Sequence, residues 1–257
     1  NRSLAATGRA LGEVSRALDE FYSSRAAERP DSSRREVDGQ AHAGGACWEA
    51  LDSEFEWNLS NMSTVVRKYL PYFDGGGDAP GSGPLLARKK RRVEELLSQH
   101  HDKYSCARAG ESSDGASSCE RLTLTHHDCN DNNVVFRVAS RPGEGSTEKC
   151  SSPDVSVSIL DFGDMGISYW FADAAIGYAY APTTTAGDAF VAGWLESVRP
   201  ASEPGSSSGL PELIRDWARM RQVTSVCISN FQAFKDPANE YLQCSAAPLW
   251  RQLGVEA

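Results

Sequence analysis

Two polar clusters hold the residues best suited to chemistry. Residues 126–133 read His-His-Asp-Cys-Asn-Asp-Asn-Asn, and residues 161–164 read Asp-Phe-Gly-Asp. Taken singly, neither is compelling. Loops rich in Asn and Asp are ordinarily turns, because their side chains bond the local backbone, and a short pattern such as His-x-Asp-x-x-x-x-Asn is weak alone. The pair says more. A loop offering Asp128 and Asn133, followed by strand, loop and strand and then Asp161-Phe162-Gly163, is an arrangement that serves phosphoryl transfer. That reaction needs a carboxylate beside the attacking hydroxyl and hard oxygen ligands for a Mg²⁺ ion that bridges nucleotide phosphates. On this reading Asp128 is the catalytic base, or at least orients the hydroxyl, while Asn133 and Asp161 hold the metal and, through it, the nucleotide.

The elements that must position these groups are short. "RLTLTH", "NNVVFRVAS" and "DVSVSILDFGD" are β-prone runs, and "SRPGEGSTEKCSSP" reads as the loop between the last two. Most of the remaining sequence is helical in pattern. Leu4, Leu11, Val14, Leu18 and Phe21 predict an amphipathic helix over 4–22. Residues 50–73 keep helical steps with Pro71 near their end, and a further helix is expected over about 85–104. After 167 the reading is helical throughout. "SYWFADAAIGYAYA" is apolar nearly all round, as in a buried helix, and "AGDAFVAGWLESV" follows it. Leu213, Trp217, Met220, Cys227, Phe231 and Phe234 then form one stripe. A last helix is expected from "KDPANEYL" to Leu253, with Asp236 as N-cap and Pro237 in its first turn. Polar stretches at 23–46, 74–84, 107–120, 139–153 and 200–209 read as expanded surface loops. The expected class is α+β, mainly helical, with a small β element carrying the catalytic loop.

Composition narrows the function. A net charge of −9 and a pI near 5.1 argue against nucleic acid as the main partner. No apolar run of about 18 residues is present, so no membrane span is expected. The seven cysteines are scattered without zinc spacing. Free thiols in a reducing compartment, and hence a cytoplasmic location, are the simplest expectation.

At the level of motifs the chain resembles the aminoglycoside phosphotransferase and choline-kinase-like family, which shares the protein-kinase fold, and most of all its hydroxylysine-kinase branch. There the catalytic loop has the form H-[GN]-D-x-N-D-x-N and the metal-binding strand ends I-[IL]-D-F-G-D-M; this chain has "HHDCNDNN" and "SILDFGDM". His127 departs from the usual Gly or Asn. "LAATGRALGEVSRALDEF", "FEWNLSN" and "DPANEYL" are similar to further segments, so the likeness spans nearly the whole sequence. It implies that His126 braces the loop against the Asp161-Phe162-Gly163 backbone, a role close to that of a structural core His. Asn130 would orient Asp128 or approach the nucleotide, or else serve as a turn residue. Asp164 would help position the metal site or cap the next helix. Asp173 would anchor the catalytic loop from a buried helix, where a carboxylate needs partners.

The same resemblance implies an N-terminal lobe with a phosphate-covering loop and a Lys, for which the sequence offers no candidate. "DGGGDAPGSGP" lies between helices without flanking strands. Residues 1–257 are therefore expected to form the C-terminal lobe of a kinase-like fold with the N-lobe absent: cut away, supplied by another chain, or lost. The basic run Arg88–Arg92 is read as a solvated helix start, with an anionic-surface or nuclear-localisation role as the alternative. The expected activity is Mg²⁺-dependent transfer of a γ-phosphoryl group from GTP or ATP to a hydroxyl of an amino-bearing metabolite, 5-hydroxylysine foremost. The rival expectation is a non-catalytic, kinase-derived structural or interaction subunit.

Overall fold

The computed structural model describes residues 2–25, 55–74, 83–105, 121–138, 155–198 and 209–255. Most of the polar stretches singled out in the sequence lie outside these residues. Where their edges are described they join helices: α1 runs over Arg2–Ser24, and Pro84 opens α3. The fold is mainly helical with two small two-stranded sheets, an α+β architecture. The chain divides into two compact units. One comprises Asn1–Asp52 and Thr123–Ile214, the other Ser53–Leu122 and Arg215–Ala257.

The first unit holds α1, β1 (Leu122–Thr125, which begins at the unit boundary), β2 (Val134–Val138), β3 (Val155–Ile159), β4 (Gly166–Tyr169), α4 (Ala172–Ala179) and α5 (Thr184–Val198). Strands β2 and β3 pair antiparallel, with Val134 opposite Ile159 and Val138 opposite Val155, while β1 pairs with β4. Helix α1 packs along α5. The stripe expected on α1 is buried only in part: Leu11 faces inward, but in the company of Thr7, Gly8, Gly12 and Ser15, and Phe21 is 50% exposed. The reason is distance. A Cβ on Gly8 would lie 1.9 Å from the Phe190 carbonyl oxygen, and one on Gly193 would lie 2.0 Å from that of Ala5. Helices this close need small residues at the seam, so the large apolar side chains are displaced to its edges. Strand β4 corrects a second expectation, that everything after 167 is helical. Its buried positions are Gly166 and Ser168, so no apolar alternation marks it.

The second unit contains α2 (Met62–Tyr69), α3 (Pro84–Ser105), α6 (Leu210–Lys235, which enters it at Arg215), α7 (Glu240–Ser245) and α8 (Ala247–Gln252). Helix α2 is shorter than its sequence pattern, because 3₁₀ turns at Leu59–Asn61 and Leu70–Asp74 flank it. The latter accommodates Pro71, which cannot donate within an α-helix. The single last helix expected from Asp236 is instead two short ones. Asn239, not Asp236, caps α7 by accepting a hydrogen bond from the Leu242 amide at 3.4 Å. A proline in the first turn of α8 then starts a separate helix. The basic run on α3 is engaged within this unit: Lys89 lies over the Trp250 ring at 5.0 Å, Lys90 pairs with Asp74 at 2.6 Å, and Arg92 donates to the Leu253 carbonyl at 2.8 Å.

Candidate active site

The site is built where β1 ends. Thr125 Oγ1 donates to the Gly166 carbonyl at 3.1 Å, tying the end of β1 to β4. The next two backbone amides, of His126 and His127, donate to the two oxygens of Asp173, each at 3.0 Å. Asp173 is fully buried in the first turn of α4, among Ala172, Ala174, Ala175 and Ile176. Burial holds its carboxyl above the ordinary carboxylate range, and the amides of His126 and His127 pull the other way. The N-terminal turn of a helix also favours an acid there.

Between those amides and Asp128 the backbone turns sharply. His127 has φ +69°, in the left-handed region. That bears on the departure of this position from the H-[GN]-D pattern it resembles: Gly and Asn are the residues that adopt this conformation most cheaply, and His is among the few others enriched in it. His126 is fully buried. Its Nδ1 accepts from the Asp128 amide at 3.2 Å and its Nε2 lies 2.8 Å from the Leu160 carbonyl. A carbonyl only accepts, so a ring proton belongs on Nε2. Its edge meets the Phe162 ring, with centroids 4.7 Å apart at 72°. His126 thus joins the loop to the second cluster through Leu160 and Phe162.

Asp128 is held at both oxygens. Asn130 Nδ2 donates to Oδ1 at 2.8 Å, and Asn133 Nδ2 donates to Oδ2 at 2.7 Å and to the Asp128 carbonyl at 2.9 Å. Asn130 does two things at once, since its Oδ1 also accepts from the Asn132 amide at 2.8 Å and caps the 3₁₀ turn Asp131–Asn133. The Leu160 amide bonds the Asn133 carbonyl at 2.9 Å, so the hairpin β2–β3 carries the loop's end and the start of the second cluster side by side. Asp161 also has a left-handed backbone, φ +58°, and its Oδ1 accepts from the Gly163 amide at 3.2 Å.

The amide of Asn133 is oriented by its two acceptors, which leaves its Oδ1 without a hydrogen bond among the described residues, as is Oδ2 of Asp161. These are the hard oxygen donors that suit Mg²⁺, an ion that keeps most of its shell for water and phosphate and takes only one or two protein ligands. No group of three or more His, Cys, Asp or Glu gathers at metal-binding spacing among the described residues. The donor set therefore fits a shared metal better than a dedicated cage. Cys129, inside the loop, is buried, and burial together with Asp173 and Asp128 pushes its thiol up, away from nucleophile behaviour.

Asp164 corrects the expectation that it caps the next helix. The next element is strand β4, and α4 begins at Ala172 with Phe171 at its N-cap and no side-chain cap. One contributor escaped the sequence reading. Thr125, whose hydroxyl ties the end of β1 to β4 at the root of the loop, carries no motif signal, because nothing in a short β-prone run marks which hydroxyl will bond across to a neighbouring strand. Among the described residues no helix is long and apolar enough to cross a membrane, and Cys129, Cys227 and Cys244 are free thiols.

No family model matches the chain. It is similar to hydroxylysine kinase of Xenopus laevis, with 26% identity over 218 residues, covering 82% of this chain and 49% of that protein. The chain thus spans about half the length of the curated relative it matches, and at this identity the likeness is that of a distant homologue of a kinase.

Proposed function

We propose that the chain is the catalytic-loop lobe of a kinase-like small-molecule phosphotransferase. The observation that carries this reading is the Asp128 carboxylate, aimed by Asn130 and Asn133 amides at its two oxygens, while Oδ1 of Asn133 and Oδ2 of Asp161 accept no hydrogen bond among the described residues. Asp128 accepts or orients the proton of the acceptor hydroxyl. Asn130 fixes the carboxylate rotamer, and His126 holds the loop to the strand that ends at Asp161. Asn133 and Asp161 are the residues that would hold Mg²⁺, which when bound supplies charge neutralisation at the nucleotide phosphates. Asp173 anchors the loop. Asp164 assists near the metal side.

The distant likeness to a hydroxylysine kinase points to 5-hydroxylysine, or a related amino alcohol or amino acid, as acceptor and to GTP or ATP as donor. A second lobe, on the same or another chain, would supply the phosphate-covering loop and Lys. Exposed apolar side chains around the hairpin favour such a cover: Val135 is 47% exposed, Phe136 46%, Leu160 46% and Phe162 40%. The same surface is what a non-catalytic interaction subunit would offer, so the two readings part on activity alone.

The test is Mg²⁺-dependent phosphorylation by the full-length gene product, with GTP or ATP, of hydroxylysine, choline, ethanolamine and homoserine. Wild type should turn over at least one acceptor, and Asp128→Asn should lower kcat by about 10²–10⁴-fold, the usual worth of a positioned general base. Equal null rates for both proteins on every acceptor would overturn the kinase reading and leave the interaction subunit.

A further inference from the structure

The segment that carries Asp161 is held by its ends. Asp161, Phe162, Gly163 and Asp164 are all exposed, and two short-range bonds shape them into a turn: the Gly163 amide donates to Asp161 Oδ1 at 3.2 Å, and the Met165 amide to the Phe162 carbonyl at 3.4 Å. Such bonds give a turn its form but not its place. Its place comes from two consecutive residues where β1 ends. Thr125 Oγ1 donates to the Gly166 carbonyl at 3.1 Å on one side of the segment, and His126 Nε2 to the Leu160 carbonyl at 2.8 Å on the other. Thr125 is 1% exposed and His126 0%, so water offers neither an alternative partner. The Leu160 end is held a second time by the Phe162 ring against His126, and the Gly166 end by the pairing of β1 with β4. Only a short run, Asp161 to Met165, lies between the two held carbonyls, and fixing both ends leaves it few conformations. That matters for Asp161, because a non-glycine residue keeps a φ of +58° only where its surroundings over-determine it.

We propose that Thr125 is a positioning residue for the metal side of the site: together with His126 it clamps both ends of the segment that carries Asp161, and so sets where that carboxylate stands relative to Asn133. Thr125 acts through the Gly166 backbone and not on substrate. The proposal rests on the reading of Asp161 and Asn133 as Mg²⁺ ligands, whereas the clamp itself can be tested without metal.

The experiment compares wild type, Thr125→Val, Thr125→Ser and Asp161→Asn in the full-length gene product. Valine keeps the shape of threonine without its donor, and serine keeps the donor. Amide hydrogen exchange reads the clamp. Thr125→Val should speed exchange at the Gly163 and Met165 amides by about fivefold, the worth of one neutral hydrogen bond. The His126 and His127 amides, held by Asp173, and that of Val226 in α6 should be unmoved, and Thr125→Ser should restore protection. Binding of Mn²⁺ with GTP or ATP, followed by electron paramagnetic resonance, reads the metal side. Thr125→Val should weaken it by a similar factor, Thr125→Ser should not, and Asp161→Asn should abolish it. Where turnover is measurable, KM for the metal–nucleotide should rise with kcat unchanged, the mark of lost ground-state binding. Unchanged Gly163 and Met165 amides, or a Thr125→Ser variant as loose as Thr125→Val, would overturn the clamp. Acceleration that reaches His127 and Val226 would show a hydroxyl that merely stabilises the fold. A loosened segment with full metal binding, where Asp161→Asn loses it, would overturn the positioning role. Loop amides that respond as expected in a protein that binds no Mn²⁺ would uphold the clamp and sink the metal reading of Asp161. Should Thr125→Val not fold, Thr125→Ala against Thr125→Ser decides on the same amides.

Discussion

At the scale of single residues, two aspartates of the site differ in environment, and their amide variants should differ accordingly. Asp173 accepts two backbone N–H groups inside a fully buried helix turn. Replacing it by Asn turns one acceptor into a donor that faces the amide of His126 or His127, with no water to relieve the clash. Asp173→Asn should cost about 2–3 kcal/mol, the penalty of a buried group left unsatisfied. Asp128 is only half-buried, and Asp128→Asn should cost under about 1 kcal/mol. Urea midpoints measured side by side check this, and equal losses would mean that Asp173 is not the anchor. Residue types made Asp128, Asn133 and Asp161 legible in the sequence as candidates, because the proposed phosphoryl transfer would use them at that spacing. The left-handed φ of His127 was legible only as an oddity in the pattern, since a dihedral leaves a trace in sequence chiefly where Gly or Asn fills it.

At the scale of elements, hydrophobic periodicity found nearly every helix but read only part of the buried face of α1. A stripe of large apolar residues is the default signal, yet the seam with α5 is made by Gly8, Gly12, Ser15 and Gly193, and no hydropathy pattern reveals how closely two axes approach. Gly8→Ala or Gly193→Ala would push a methyl against a backbone carbonyl, so the helices must part. Each should destabilise the protein by about 1–3 kcal/mol, as overpacking does, read as a drop in thermal midpoint. A Gly83→Ala control, with nothing near its Cβ, should not. In the second unit α3 and α6 meet at His100, whose ring lies 4.6 Å from Trp217 and 4.7 Å from Tyr104. Its Nε2 has no hydrogen-bond partner among the described residues. Burial first, then His101 and Lys103, lowers its pKa from 6.5 to about 4, against the opposing pull of Asp216. The folded state therefore binds fewer protons than the unfolded chain between those values. The contribution of neutral His100 is fully present above pH 6.5 and is lost as pH falls toward about 4. The loss should be about 2–3 kcal/mol. Denaturation of His100→Phe should lack that part of the acid slope, and an unchanged slope would assign it to other groups.

At the scale of the whole molecule, the chain matches 49% of the length of its Xenopus laevis relative, and the hairpin that leads to Asp161 leaves several apolar side chains exposed. Strands β2 and β3 present Val134, Phe136, Val157 and Ile159 on one face, each at least partly exposed. Sequence could name these residues but not say that they are uncovered, because the same alternation marks a strand buried within its own lobe. If a second lobe closes over them, this chain alone holds one side of a nucleotide cleft. Mg²⁺ with GTP or ATP should then bind it at least about tenfold more weakly than when the unmatched half of the relative is supplied in trans. That factor is about 1.4 kcal/mol, less than the burial of one large apolar side chain contributes. Phe136→Ser supplies the control. Exposed as it is, Phe136 should leave the chain's own stability within about 0.5 kcal/mol while abolishing the gain in nucleotide affinity. Titration calorimetry on both proteins reads the outcome. A gain that survives Phe136→Ser would place the covering surface elsewhere, and tight binding by the chain alone would mean that its cleft is already complete.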